Sequence, residues 1–171
     1  MAISKDKTNQ SYRDLSFNLE QYRDFLNRAK KTYEKDLVDE AIRDYLNIIN
    51  TYPNRALPHY EQGIVYRSMK DYKNAISSFK RAKNLNPNKD LYGKAIISIA
   101  QRIAQEADQD AKRQDYNSAI PKYLEAIEYY PEFTQALFNL AKSFYFLTDY
   151  ENSKKYLLIN MINNVIIKSY C

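Results

Sequence analysis

One histidine, His59, and one cysteine, Cys171, are all that this chain of 171 residues offers to metal or thiol chemistry. A catalytic or ligating histidine needs partners at ligand spacing, and none stands beside His59. A lone cysteine gives neither a disulfide framework nor a zinc motif within one chain. With only two glycines, Gly63 and Gly93, no phosphate-cradling loop can be written. Glu106 and Asp110 lie one helical turn apart, as many solvated carboxylate pairs do. No nucleophile, base and orienting group share one constellation. A chain without catalysis, cofactor or metal is expected, so any chemistry must be recognition, carried by side chains on a regular frame.

The frame is a repeat. Residues 56–89 read as two short amphipathic helices joined by a tight turn at Met69, Lys70 and Asp71. Apolar positions fall at helical spacing, with Tyr60, Gly63, Ile64 and Tyr66 in the first helix. Tyr72, Ala75, Ile76, Phe79 and Ala82 follow in the second, and Leu85 and Pro87 close the unit. Pro87 lies 34 residues after Pro53 and 44 before Pro131. Ala75 corresponds in the same way to Ala41, Ala119 and Ser153, and Phe79 to Tyr45, Tyr123 and Leu157. Tyr72 matches Val38, Tyr116 and Tyr150. Independent columns sharing the steps 34, 44 and 34 indicate one structural unit repeated, with a ten-residue insertion in the third copy.

A period of 34 with a helix-turn-helix reading resembles the tetratricopeptide repeat family. Gly63, Tyr66, Tyr72, Ala75, Phe79, Ala82 and Pro87 carry the resemblance in the best copy. Ala29, Ala41, Tyr45 and Pro53 carry it in the first. Ala107, Tyr116, Ala119, Tyr123, Ala126 and Pro131 carry it in the third, and Leu140, Ala141, Phe144 and Tyr150 in the fourth. The resemblance covers roughly Tyr22 to Met161. It implies an all-α fold, an α-solenoid of about four helical hairpins wound as a right-handed superhelix. The repeats are placed at about 22–55, 56–89, 90–133 and 134–167 of a helical domain over 17–168. Residues 1–16 are polar and read as a flexible tail, and 169–171 as the C-terminal end.

Local signals refine this frame. Asp36, Asp71, Asp115 and Asp149 each precede a second helix, where a carboxylate can accept from first-turn N–H groups. Pro53, Pro87 and Pro131 stop those helices. The insertion makes the first helix of the third repeat one long helix over 90–113, or a short extra helix followed by a normal one. Glu106 and Asp110 fall where the family usually carries apolar residues, which leaves the register there open. Pro121, beyond the first turn of its helix, is expected to bend it.

Composition fits an interaction module. Hydrophobic residues make up 44% of the chain, and 17 tyrosines stand against no tryptophan. Tyrosine rings can pack between helices while their hydroxyls reach the edge. The net charge of +5 is spread in short pairs such as Lys30–Lys31 and Lys154–Lys155. That spread argues against nucleic acid, which would need basic residues clustered on one face. No apolar run of about 18 residues is present, so no membrane span is expected. The polar N-terminus lacks the apolar stretch of a secretory signal, and a cytoplasmic location is expected.

The family resemblance implies that the first helix of each repeat lines a concave groove that binds an extended or helical peptide. Matched columns place Leu26, Lys30 and Tyr33 there from the first repeat, and Leu57, Tyr60, Ile64 and Arg67 from the second. Gln101, Ala104, Asp108 and Lys112 come from the third, and Phe138, Lys142, Tyr145 and Phe146 from the fourth. Rigid aromatics beside cations suit a protein or peptide partner with apolar anchors and acidic groups. Some family members hold acidic chaperone tails in a basic and asparagine clamp. The corresponding places here hold Leu26, Lys30, Glu61, Gln101 and Gln105, and Glu61 has the wrong sign, so no such clamp is expected. The alternative reading is self-assembly. The last helix is apolar on more than one face, and Leu158, Ile162 and Ile166 would dock it on a second copy as a homodimer, or on another partner.

Overall fold

In a computed structural model of the chain, the described residues are 2–169 for the backbone and 15–165 for side chains. They form eight helices and no strand, so the protein is all-α. The helices are α1 (Ala2–Glu34), α2 (Val38–Thr51), α3 (Ala56–Ser68), α4 (Tyr72–Leu85), α5 (Asp90–Lys112), α6 (Tyr116–Tyr129), α7 (Thr134–Phe146) and α8 (Tyr150–Ser169). The chain divides into two compact units, residues 1–92 and 93–171.

Each helix has a local reason for its limits. No glycine or proline lies between Ala2 and Glu34, so nothing stops α1 over its 33 residues. The backbone of residues 2–16, expected as a flexible polar tail, is helical and part of α1. α2, α4 and α6 each end two residues before Pro53, Pro87 and Pro131. The insertion of the third repeat is taken up in one helix, since α5 has 23 residues against 13 in α3 and in α7. Its buried side chains Tyr92, Ala95, Ile96, Ile99, Ala100, Ile103, Ala104 and Ala107 keep one helical stripe throughout. The two carboxylates that left its register open stand outside the stripe. Glu106 lies 3.9 Å from Arg102 one turn before it, and Asp110 pairs with Lys122 of α6. α6 runs unbroken through Pro121.

The turns between the helices of successive pairs share one geometry. Asp36, Lys70, Gln114 and Thr148 all have φ near +60°, and they fall 34, 44 and 34 residues apart. At each, two backbone bonds close the preceding helix. Lys70 N–H donates to Arg67 O and Asp71 N–H to Tyr66 O, both at 3.0 Å, and the other three turns repeat the pattern. This is the left-handed C-terminal cap that satisfies the last carbonyls of a helix. The next residue then starts the following helix. Asp71, Asp115 and Asp149 accept from the backbone N–H of Asn74, Ser118 and Asn152 at 3.2, 3.1 and 3.1 Å. Hydrogen bonds to the Ser118 and Asn152 side chains, and then these backbone bonds, hold the Asp115 and Asp149 carboxyls below their usual range. The first repeat departs from the expectation. Asp36 sits in the left-handed position, one residue too early, and the capping position is held by Leu37, whose side chain can accept nothing.

In the first unit, α1 packs on α2, α2 on α3 and α3 on α4. Leu26, Ala29, Tyr45, Ile48 and Val65 form a buried cluster, with Tyr22, Phe25, Tyr33, Val38, Ile42 and Tyr52 packed around it. Burial raises the Tyr45 phenol well above its usual range. Gly63 lets α3 lie against the Phe79 ring of α4, since a Cβ there would come within 2.5 Å of that ring. In the second unit, α6 packs on α7 and α7 on α8. The rings of Phe144 and Tyr156 stack at 5.6 Å, and Asn163 donates to the Pro131 carbonyl at 2.9 Å.

Candidate functional site

Tyr123, wholly buried on α6, sends its hydroxyl to the Asp108 carboxylate on α5. Burial first, and that hydrogen bond second, push its phenol well above the usual range, so it stays a donor. The same Asp108 oxygen accepts from Asn139 Nδ2 of α7 at 2.8 Å. One carboxylate thus ties three helices together by two donors. A part-buried network of this kind fixes geometry when each member is satisfied.

Above that tie lies a cleft of about 420 Å³, lined by Asp108, Ala111, Lys112, Gln114, Tyr116, Tyr123, Asn139, Lys142, Ser143 and Phe146. Its aromatic wall is a stacked pair, Tyr116 on Phe146, with centroids 4.9 Å apart and planes inclined by 15°. Lys142 holds its ammonium 5.7 Å from the centre of the Phe146 ring, a cation–π distance. Tyr145 meets the edges of Phe146 and Tyr150 at 6.0 and 5.5 Å. The cleft therefore combines an aromatic face, two lysines, amide and hydroxyl groups, and one carboxylate already engaged by two donors.

The sequence-derived candidates divide between surface and core. Lys112, Lys142 and Phe146 line the cleft, Tyr145 adjoins it, and Phe138 is exposed on the same helix outside the lining. In the first unit Leu26 belongs to the buried cluster and Tyr33 packs against it, so neither ring nor chain stands free for a partner. Lys30 is held by Glu61 at 3.0 Å. Tyr60 is wedged between Phe79 and Tyr92, with centroids 5.5 and 5.2 Å away. Ile64 and Arg67 are half-buried and Leu57 is exposed. Gln101 is exposed, whereas Ala104 is buried in the α5 stripe. On α8, Leu158 and Ile162 are exposed, and the Ile166 side chain lies outside the described residues.

Tyr116, Asn139, Gln114 and Ser143 escaped the sequence reading. Tyr116 stands in the same repeat column as Tyr72 and Tyr150, and Asn139 and Ser143 flank Lys142 on the same helix face, so the signals were present. His59 is half-buried on α3, and burial, with Arg81 adding to it, lowers its pKa. Among the described residues, no group of three or more His, Cys, Asp or Glu side chains could hold a metal ion. No described helix is long and apolar enough to cross a membrane.

Paired helices closed by recurring caps, with rings and cations on a cleft between them, define a helical-repeat module. One tetratricopeptide-repeat family model matches residues 56–89 and another matches residues 135–158. The chain carries tetratricopeptide repeats over these two stretches, and such repeats support a protein–protein interaction module. Among solved structures it is similar to MamA from Desulfovibrio magneticus RS-1, with 15% identity, covering 84% of this chain and 94% of that one at a TM-score of 0.40. It is similar to YrrB, described as a TPR protein with an unusual peptide-binding site, with 16% identity, coverage of 81% and 84% and a TM-score of 0.40. Similarity also extends to an O-GlcNAc transferase mutant from Thermobaculum terrenum, with 15% identity, coverage of 72% and 22% and a TM-score of 0.45. No curated protein matches the chain.

Proposed function

We propose that the chain is a non-catalytic adaptor that holds a partner segment, with an apolar or aromatic anchor and an acidic group, in the cleft between α5, α6 and α7. The observation that carries this reading is the placement of Lys112 and Lys142 beside the Tyr116–Phe146 stack on one concave surface. The stacked rings offer a rigid apolar face at low entropic cost, and the two ammonium groups supply charge complementarity. The Tyr123–Asp108–Asn139 tie supports the reading by holding the walls in place before a partner arrives. Phe138 and Tyr145 extend the apolar rim. On the first unit the same reading rests on Leu57, Ile64 and Arg67, with Lys30, Tyr33 and Tyr60 engaged internally.

A fluorescence anisotropy screen tests it, using labelled peptides that carry one Phe or Trp flanked by Asp and Glu, with Lys-flanked versions as controls. The acidic peptides are expected to bind with an affinity that weakens as salt rises. Lys112→Glu combined with Lys142→Glu should weaken binding at least about tenfold, the loss of two favourable charge contacts. Equal binding by wild type and the double variant would remove the cleft as the binding site.

Self-association through α8 is the second reading. The observation favouring it is that Leu158 and Ile162 stand 49% and 57% exposed on a well-formed helix.

A further inference from the structure

α8 packs on α7, with Tyr156 stacked on Phe144, and its residues 152, 153, 156, 159, 160 and 163 are buried or half-buried on one face. The opposite face carries Leu157, Leu158, Met161, Ile162 and Val165, spaced i, i+1, i+4, i+5 and i+8 and between 39% and 68% exposed. These five form one continuous apolar strip along a helix. The repeat columns show what is unusual about it. Leu157 corresponds to Tyr45, Phe79 and Tyr123, each at most 1% exposed. Ile162 stands where the other second helices carry Asn50, Asn84 and Glu128, and Val165 where Pro53, Pro87 and Pro131 stop them. α8 therefore leaves open, at Leu157, a position covered in the other repeats, and it continues the apolar strip past the point where the other second helices end.

We infer that this strip is the contact between two copies of the chain, with α8 of one copy laid antiparallel on α8 of the other about a two-fold axis. The inference rests on the self-association reading of α8 and is independent of the cleft. Three features select this occupant. The segment from Tyr156 to Val165 contains no charged residue, so two copies of it meet without like-charge repulsion along the strip. The exposed asparagine among them, Asn164, both donates and accepts, which suits a partner carrying the same group. Five side chains at these exposures present on the order of 400–500 Å² of apolar surface, the upper part of what a monomer shows in one patch. Two such faces together come to about 800–1,000 Å², the lower limit of what a specific interface buries.

A head-to-tail contact with the described part of α1 of a second copy would meet charged side chains. Where α7 buries Ala136, Leu140 and Ser143, α1 exposes Asp24, Arg28 and Lys31 in the same columns. An apolar strip against those charges would desolvate them and offer no new partner. The two-fold arrangement also closes on itself and stops at two copies, whereas a head-to-tail contact would propagate.

Sedimentation velocity across a range of concentrations, with the full chain, tests the inference. A concentration-dependent dimer is expected that grows no further. Ile162→Glu and Met161→Glu should each weaken it at least a hundredfold while leaving the helical circular dichroism signal intact, because both side chains lie on the surface. A second measurement reads the geometry. In a Cys171→Ser background, Leu158→Cys, Met161→Cys and Ile162→Cys are treated one at a time with a short thiol cross-linker. A two-fold antiparallel pair requires at least one of them to link to its own copy. A wild-type chain that stays monomeric would overturn both the inference and the self-association reading. A dimer lost in Ile162→Glu but never linked through identical positions, or an assembly growing beyond two, would overturn the two-fold pairing alone. A dimer indifferent to both glutamate variants would place the contact elsewhere and overturn the inference.

Discussion

Gly63→Ala is the substitution whose sign the packing decides. In an open helix, replacing glycine by alanine gains about 1 kcal/mol, because the backbone loses less freedom on folding. At position 63 a new Cβ would stand 2.5, 2.7 and 3.1 Å from Cε1, Cδ1 and Cζ of Phe79. Carbon atoms reach their favourable separation only at about 3.5–4 Å, so the ring would have to retreat by roughly 1 Å. It has little room to do so. Phe79 is completely buried, and its ring rests against Tyr60, which rests in turn against Tyr92. Overpacking of a filled core costs about 1–3 kcal/mol. Set against the propensity gain, this leaves an expected net loss of up to about 2 kcal/mol. Followed by circular dichroism at 222 nm, the urea midpoint should fall by up to about 1 M for an m-value near 2 kcal/mol/M. Phe79→Leu supplies the control, because it removes Cε1 and Cζ and replaces the rigid ring by a branched chain that can turn Cδ1 aside. In that background Gly63→Ala should become neutral or stabilising by up to about 1 kcal/mol. A stabilised Gly63→Ala in the wild-type background, or an equal cost in both backgrounds, would refute the reasoning.

Two further outcomes are expected. Leu37→Ser should stabilise the chain by about 1 kcal/mol in a thermal melt, since it places an acceptor at the one second-helix start that lacks it, while Leu37→Ala should change little. His59 should give a pH dependence of stability. Its folded pKa lies below the ordinary value of 6.5 because burial, and then Arg81, disfavour the charged ring. The unfolded chain therefore takes up the proton first. Stability should be full above pH 6.5, fall as the pH drops through the folded value, and level off below it. Urea midpoints read at half-unit steps from pH 7.5 to pH 5 should show this slope, and His59→Gln, which removes the only histidine, should flatten it.

The repeat columns and the helix-turn-helix reading were legible in the residues because they depend on local chemistry. Aspartate before a second helix, proline after it and small residues where two helices approach act within a few positions of themselves. The caps at Asp71, Asp115 and Asp149 and the close approach at Gly63 follow directly. The first cap was misjudged by one residue. Asp36 and Asp71 are 35 residues apart, and only the backbone shows that Leu37 takes the capping position while Asp36 turns left-handed. The flexible tail expected at 1–16 rested on its polarity, but polarity without glycine or proline does not end a helix. The long first helix of the third repeat was readable because its apolar stripe continues without a break.

The candidate site was legible only as a helix face. Column matching could say which residues share a face of a first helix. It could not say that Leu26 is enclosed by Tyr45, Ile48 and Val65, or that Glu61 holds Lys30. Nor could it find the stack of Tyr116 on Phe146, or the Asp108 carboxylate shared by Tyr123 and Asn139, since these join residues 30 or more positions apart, or 15 apart across a turn. Residue order alone determines the helices, their caps and the period, because those are set by backbone hydrogen bonds and side chains a turn or two away. Which rings are spent in the core and which stand beside Lys112 and Lys142 is decided by tertiary packing alone, because burial and ion pairing depend on whatever segment arrives from elsewhere in the chain.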